Sequence, residues 1–201
     1  MRASTLPDGS VKQFDAGSTP MDVAKSISEG FARNVISASF NDVTIESSTA
    51  LNEDGKLVLY TWNNDEGKKA FWHSSAHIMA QALEQLYPGI KLTIGPAIEN
   101  GFYYDVDFGE QTISEKDLKA VEDRMLEIAR GKHEFSLRES SKADALSYYK
   151  KQGNEYKVEL IEALEDGTIT FCDHDTFTDL CRGGHIPNTG IIKAIKLMSV
   201  A

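Results

Sequence analysis

The feature that most constrains the fold is the stretch from Asn63 to Tyr87-Pro88-Gly89, one helical period with a polar start and a Pro-Gly stop. Phe71, Ser75, Ile78, Met79, Ala82 and Leu86 recur on one face of a 3.6-residue helix, which must be buried against something else. Beside that stripe His73 and His77 stand four apart, so two imidazoles project from one side. One histidine next to an apolar face is most simply a hydrogen-bonded core residue; two at this spacing point toward function. A second dense stretch, Asp179-Leu180-Cys181-Arg182-Gly183-Gly184-His185, adds a thiol and a third imidazole on a glycine-rich loop. Only five histidines exist in the chain, and three of them fall in these two segments.

At 201 residues, with 41% hydrophobic and 26% charged content, the chain suits one large globular domain or two smaller ones. Its formal charge of -10 argues against holding nucleic acid by bulk electrostatics, so a nucleic-acid partner would need local contacts or help from elsewhere. Cys172 and Cys181 make no disulfide framework, and a reducing compartment is expected. The start, Met1-Arg2-Ala3-Ser4-Thr5, has no apolar core of its own, so no signal sequence is expected, and no run approaches the roughly 20 apolar residues of a membrane helix; a cytoplasmic protein without a membrane partner is expected.

The first sixty residues read as a small mixed sheet crossed by one helix. Residues 2–14 form a hairpin around Leu6-Pro7-Asp8-Gly9-Ser10. A helix follows, with Thr19 as N-cap, Pro20 at its first position and Asp22 in its first turn. Met21, Ala24 and Ile27 or Ser28 give its helical spacing, and Gly30 ends or bends it. Strands are expected at 35–40, 43–45 and 57–61, with turns at Asn41-Asp42 and Asn52-Glu53-Asp54-Gly55. This is a β-grasp layout without a catalytic constellation, most simply a binding or spacer module.

Residues 63–201 read as a larger α+β domain. After the long helix come strands at 91–94 and 101–106, then a helix opened by Ser114 and Asp117 and closed at Arg130-Gly131. A strand at 134–139, a helix at 142–152 closed by Gly153, a short helix or turn from Asn154, and a strand at 168–172 lead into the second motif.

Taken as residues alone, His73, His77, Cys181 and His185 make a plausible zinc set, two ligands four apart on a helix and two four apart on a loop. Four protein ligands would saturate tetrahedral zinc, whereas a catalytic site needs one position left to water or substrate. The metal-free alternative is a hydrolytic pocket. In it a histidine positions or deprotonates water, Lys157 activates water or stabilises negative charge, and Asp179 binds a substrate ammonium or hydroxyl. Gly183-Gly184 would let backbone N–H groups approach the substrate.

Two resemblances sharpen this. Leu6-Pro7-Asp8-Gly9-Ser10 followed by Thr19-Pro20-Met21-Asp22-Val23-Ala24 resembles the TGS domain, a β-grasp module shared by threonyl-tRNA synthetases, certain GTPases and stringent-response synthetase/hydrolases. The later motifs resemble the editing domain of bacterial threonyl-tRNA synthetases: His73-Ser74-Ser75-Ala76-His77, Ile94-Gly95-Pro96, Asn100-Gly101-Phe102-Tyr103-Tyr104-Asp105, Tyr156-Lys157-Val158, and Asp179 through Asn188. Alanyl-type editing domains share the H-x-x-x-H and C-x-x-x-H pattern and typically hold zinc there, whereas the threonyl branch is understood not to depend on it.

The resemblance implies a TGS-like β-grasp domain over 1–62 and an editing domain over 63–201, truncated at its C-terminal end. It implies hydrolysis of mischarged seryl-tRNA(Thr), with His73, Lys157 and Asp179 catalytic and His77, Tyr104, Cys181 and His185 shaping the pocket. No cofactor is expected in this fragment; ATP, magnesium and a zinc ion belong to the catalytic domain of the whole enzyme, along with threonine, tRNA(Thr) and a homodimer contact. Gly184 departs from the family's usual proline, which suggests a looser loop. The apolar run Ile191 to Ala201 reads as a strand that continues beyond the fragment. The rival readings are a free-standing zinc-dependent deacylase and a non-enzymatic TGS-type RNA-binding module.

Overall fold

Short β-runs punctuated by turn residues occupy the first sixty positions, and one long helix follows them. The structure, a computed structural model, describes residues 2–5 and 11–201. The chain divides into two compact units, Met1–Phe71 with Gly183–Pro187, and Trp72–Arg182 with Asn188–Ala201.

In the first unit β1 (Arg2–Thr5) and β2 (Val11–Phe14) pair antiparallel in the register Arg2 to Phe14; the turn expected at 6–10 lies outside the described residues. Helix α1 (Pro20–Ile27) starts from Thr19, whose hydroxyl accepts from Asp22 N while the Asp22 carboxylate accepts from Thr19 N, a reciprocal capping box. The helix breaks at Ser28 rather than at the expected Gly30. Ser28 is extended (φ -170°, ψ 151°) and its hydroxyl caps α2 (Glu29–Ala32), so the local acceptor decides the break and Gly30 stays helical. The apolar face is also rotated from the one expected: Val23 and Ala24 are fully buried, and Ile27 is exposed.

Strands β3 (Ser37–Phe40), β4 (Val43–Ile45) and β5 (Gly55–Tyr60) complete a sheet of order β2-β1-β5-β3-β4, in which β1 and β5 are parallel and every other pair antiparallel. This is the mixed β-grasp sheet. Asn41 and Asp42 both take positive φ (50° and 63°), the backbone a two-residue hairpin turn requires. Val23, Ala38, Phe40, Leu51 and Leu57 form the core between sheet and helix.

The boundary between the units falls within α3 (Asp65–Leu86). In the second unit the two strands expected at 91–106 are replaced by two-residue pairs. Strand β6 (Lys91–Leu92) pairs with β9 (Val106–Asp107), and β7 (Ala97–Ile98) with β8 (Gly101–Phe102). Gly95-Pro96 interrupts the ladder, because proline has no N–H to donate. Helix α4 (Leu118–Arg130) buries Leu118, Val121, Met125 and Ile128, and Asp117 ties back to Ser114 N and Oγ one turn before it.

Strand β10 (Ser136–Glu139), α5 (Lys142–Gln152), α6 (Glu155–Glu162), β11 (Thr170–His174) and β12 (Phe177–Leu180) follow, with an antiparallel sheet of order β10-β11-β12. Gly153 closes α5 in the left-handed region (φ 68°). Ala145, Tyr149, Ile161, Ile169 and Phe171 pack α5 and α6 onto the sheet. The expected strand at the C-terminal end does not form. A 3-10 turn at Thr189–Ile191 is followed by irregular chain, held where Leu197 N and Lys196 Nζ meet Glu122 Oε1 at 2.9 and 3.0 Å. Among the described residues no strand edge pairs with it.

Candidate functional site

Asp179 is the centre of a buried polar cluster in the second unit. It lies on the inward side of β12 with Phe177, so a strand fixes its position. Across from it stands Lys157 on α6. That helix begins at Asn154, whose side-chain oxygen accepts from Lys157 N at 3.1 Å while its amide donates to Leu92 O at 2.8 Å. The cap therefore ties the start of α6 to β6 and turns Lys157 inward.

Lys157 Nζ is 2.6 Å from Asp179 Oδ1, and the two residues are only 2% and 3% exposed. Burying two charges costs several kcal/mol each after relaxation, and geometry must offset it. Here the carboxylate also accepts Tyr104 O–H at 2.5 Å and Leu180 N–H at 2.8 Å. Lys157 also donates to Tyr104 Oη at 3.3 Å. Tyr149 Oη accepts from Leu180 N at 2.8 Å and donates to Asp179 Oδ1 at 3.4 Å, and His77 Nδ1 is 3.4 Å from Oδ2. Burial alone would raise the Asp179 carboxyl; the Lys157 ammonium and His77 outweigh it and hold the group at about 2. Burial, then the Asp179 charge, pushes the Tyr104 phenol well above its usual range, so it stays a neutral donor. Close approach matters at Gly95, where a Cβ would overlap the Tyr104 ring.

A second group adjoins this one. His73 Nε2 is 3.0 Å from Cys181 Sγ, and the His73 and His77 rings meet edge to face with centroids 4.6 Å apart. Cys181 N donates to Thr170 O at 3.0 Å, and Thr170 Oγ1 donates to Cys181 O. Burial disfavours a charged His77, but the Cys181 sulfur and Asp179 overcome this and raise its pKa. His73 is half-buried and His77 is buried, so His73 is the imidazole with solvent access. Cys172 and Cys181 are not joined by a disulfide.

His73, His77, Tyr104, Lys157, Asp179 and Cys181 thus come together within one unit. His185 belongs to the other unit, where its Nδ1 is 2.8 Å from Glu46 Oε1. Gly183 and Gly184 have φ of 96° and 87°, which glycine adopts freely and proline, held near -65°, cannot. The loop is not left slack by Gly184, because Gly184 N and His185 N each donate to Glu46 at 3.2 Å. Sequence reasoning missed Tyr149, Asn154 and Glu46. Asn154 had a legible signal, an N-cap residue before a helix; Tyr149 and Glu46 had none.

Comparison with known proteins bears on what this arrangement is. A family model described as the TGS domain matches residues 1–61, and one described as the threonyl and alanyl tRNA synthetase second additional domain matches residues 169–201. A threonine--tRNA ligase of Flavobacterium psychrophilum is 72% identical over 197 residues, covering 98% of this chain and 30% of its own length. This chain is homologous to the N-terminal part of threonyl-tRNA synthetase. Threonine--tRNA ligases of Flavobacterium johnsoniae and Cytophaga hutchinsonii are similar at 73% and 54% identity over the same share of the chain. The chain spans about 30% of the length of these curated relatives. The α+β class and the TGS-like start agree with the sequence reading. Among the described residues no helix is long and apolar enough to cross a membrane.

Proposed function

We propose that this chain is the editing part of a threonyl-tRNA synthetase and hydrolyses the ester of seryl-tRNA(Thr), with residues 1–62 as the TGS-like domain and 63–201 as the editing domain. The observation that supports this best is the buried Lys157–Asp179–Tyr104 cluster adjoining the His73–Cys181 pair. Serine lacks one methyl of threonine, and a pocket discriminates that by only about 1–3 kcal/mol, or roughly 10–200-fold. Translation needs more, and a second site that hydrolyses the wrong ester supplies it.

Asp179 reads the seryl group. Its carboxylate is already filled by Lys157, Tyr104 and Leu180 N–H, so an incoming ammonium replaces the Lys157 ammonium, one cation for another. Lys157 is thereby released toward the ester and the attacking water. His73, the half-buried imidazole, positions that water and the ribose hydroxyl. His77, Tyr104 and Cys181 shape the pocket, and His185 joins them by the motif it shares with Cys181.

The whole protein charges tRNA(Thr) with threonine using ATP and magnesium, with a further zinc ion and a homodimer contact in its catalytic domain, in the cytoplasm. Zinc in the editing part is the second reading, because two imidazoles and a thiol are donors zinc prefers. His73, His77, Cys181 and His185 would hold it, and it would polarise the ester carbonyl or water. Deacylation of seryl-tRNA(Thr) by the purified chain tests the proposal: Lys157→Ala and His73→Ala should each lose most of the rate, and full activity in either would remove that residue from the mechanism.

A further inference from the structure

Glu46 follows β4 in the TGS-like half, the part of the sequence that offers no chemistry, yet it is only 5% exposed. Two backbone N–H groups and one ring nitrogen of the Gly183–Pro187 loop converge on its carboxylate. Gly184 N is 3.2 Å from Oε1, His185 N is 3.2 Å from Oε2, and His185 Nδ1 is 2.8 Å from Oε1. The two backbone partners are donors, and an ionised carboxylate, which can only accept, makes the ring nitrogen the third. A carboxylate accepting from a ring nitrogen sets that nitrogen as the protonated one, leaving the Nε2 lone pair as the ring's acceptor. Gly184 completes the clamp: at φ 87° it directs its own N–H to Glu46, a bond proline could not make.

We infer that Glu46 is a positioning residue for the His185 imidazole: it holds His185 as the Nδ1–H tautomer and fixes the loop that carries it. This rests on the reading of His185 as a pocket residue. For metal-bound imidazoles the loss of a carboxylate partner typically costs on the order of 10–100-fold in metal affinity or activity, and a loss of that order is expected for His185.

Two measurements on the full chain separate the possible outcomes. In the first, ¹⁵N-histidine NMR on wild type and Glu46→Gln reads the His185 tautomer without reference to activity. Wild type should carry the proton on Nδ1, and Glu46→Gln should lose that preference. In the second, seryl-tRNA(Thr) deacylation is followed for Glu46→Gln, Glu46→Asp, His185→Asn and the double variant Glu46→Gln/His185→Asn. Glu46→Gln should lower kcat about 10–100-fold with KM within about twofold, Glu46→Asp should retain more, and the double variant should be no slower than His185→Asn alone. An unchanged tautomer in Glu46→Gln, or additive losses in the double variant, would overturn the inference. If Glu46→Gln does not fold, Glu46→Asp carries both readouts. If wild type itself deacylates nothing, the editing reading fails while the tautomer measurement still decides the clamp.

Discussion

Lys157 Nζ and Asp179 Oδ1 lie 2.6 Å apart, and both side chains are buried. Removing one partner leaves the other charge buried and alone, which costs about 3–5 kcal/mol, whereas removing both for apolar residues is often near neutral. Lys157→Met should therefore destabilise the chain by that amount in denaturant unfolding. Lys157→Met/Asp179→Leu should recover most of it, and neither variant should deacylate seryl-tRNA(Thr).

The same pair sets an acid limit. Asp179 is held at about 2, below its ordinary 3.8, so the folded state binds its proton less readily than the unfolded state does. Its stabilising contribution is full above roughly pH 5 and is lost as pH falls toward about pH 2. His77 has the opposite sign. Its raised pKa contributes stability below the ordinary value of 6.5, and that share is lost as pH climbs through the raised value. Unfolding free energy measured from pH 2 to pH 8 should fall at the acid end in wild type. In Lys157→Met, where the cation holding the carboxylate down is gone, the acid loss should be smaller.

Gly95 leaves room for the ring of Tyr104, and a Cβ there would overlap it. Gly95→Ala should cost about 1–3 kcal/mol through overpacking and displace the Tyr104 hydroxyl from Asp179. Both effects are measurable, the first by thermal unfolding and the second by a drop in deacylation larger than Tyr104→Phe alone produces.

Tyr149 links α5 to the strand bearing Asp179 by accepting Leu180 N–H at 2.8 Å. Tyr149→Phe removes one acceptor but not the ring that packs on Phe171, and Leu180 N–H keeps the Asp179 carboxylate, so the expected loss is about 0.5–1.5 kcal/mol. Amide exchange at Leu180 should quicken by more than at neighbouring strand positions.

Much of the fold was legible because it is written in local chemistry. Thr19-Pro20-Met21-Asp22 announced a capped helix, Asn41-Asp42 a tight turn, and Gly153 a helix stop, and each acts through atoms within a few residues. Tertiary pairing overrode local signals elsewhere. Phe177 to Leu180 became a strand although an aspartate sits on its inner face, because Lys157, far away in sequence, neutralises the charge there. The run from Ile191 has strand-like composition but no edge to join among the described residues. His73, His77 and Cys181 could be picked out by type and spacing, Lys157 as a candidate cation, and Tyr104 by resemblance. Glu46 could not, since one carboxylate just after a short strand carries no period or motif; only folding brings residue 185 to it.

The rate at which the chain hydrolyses seryl-tRNA(Thr), compared with threonyl-tRNA(Thr) and run with and without a metal chelator, decides whether it edits and whether it does so without zinc. Serine should be released rapidly and threonine little, and chelation should change neither rate. Equal hydrolysis of the two esters, or activity toward neither, would contradict the editing reading.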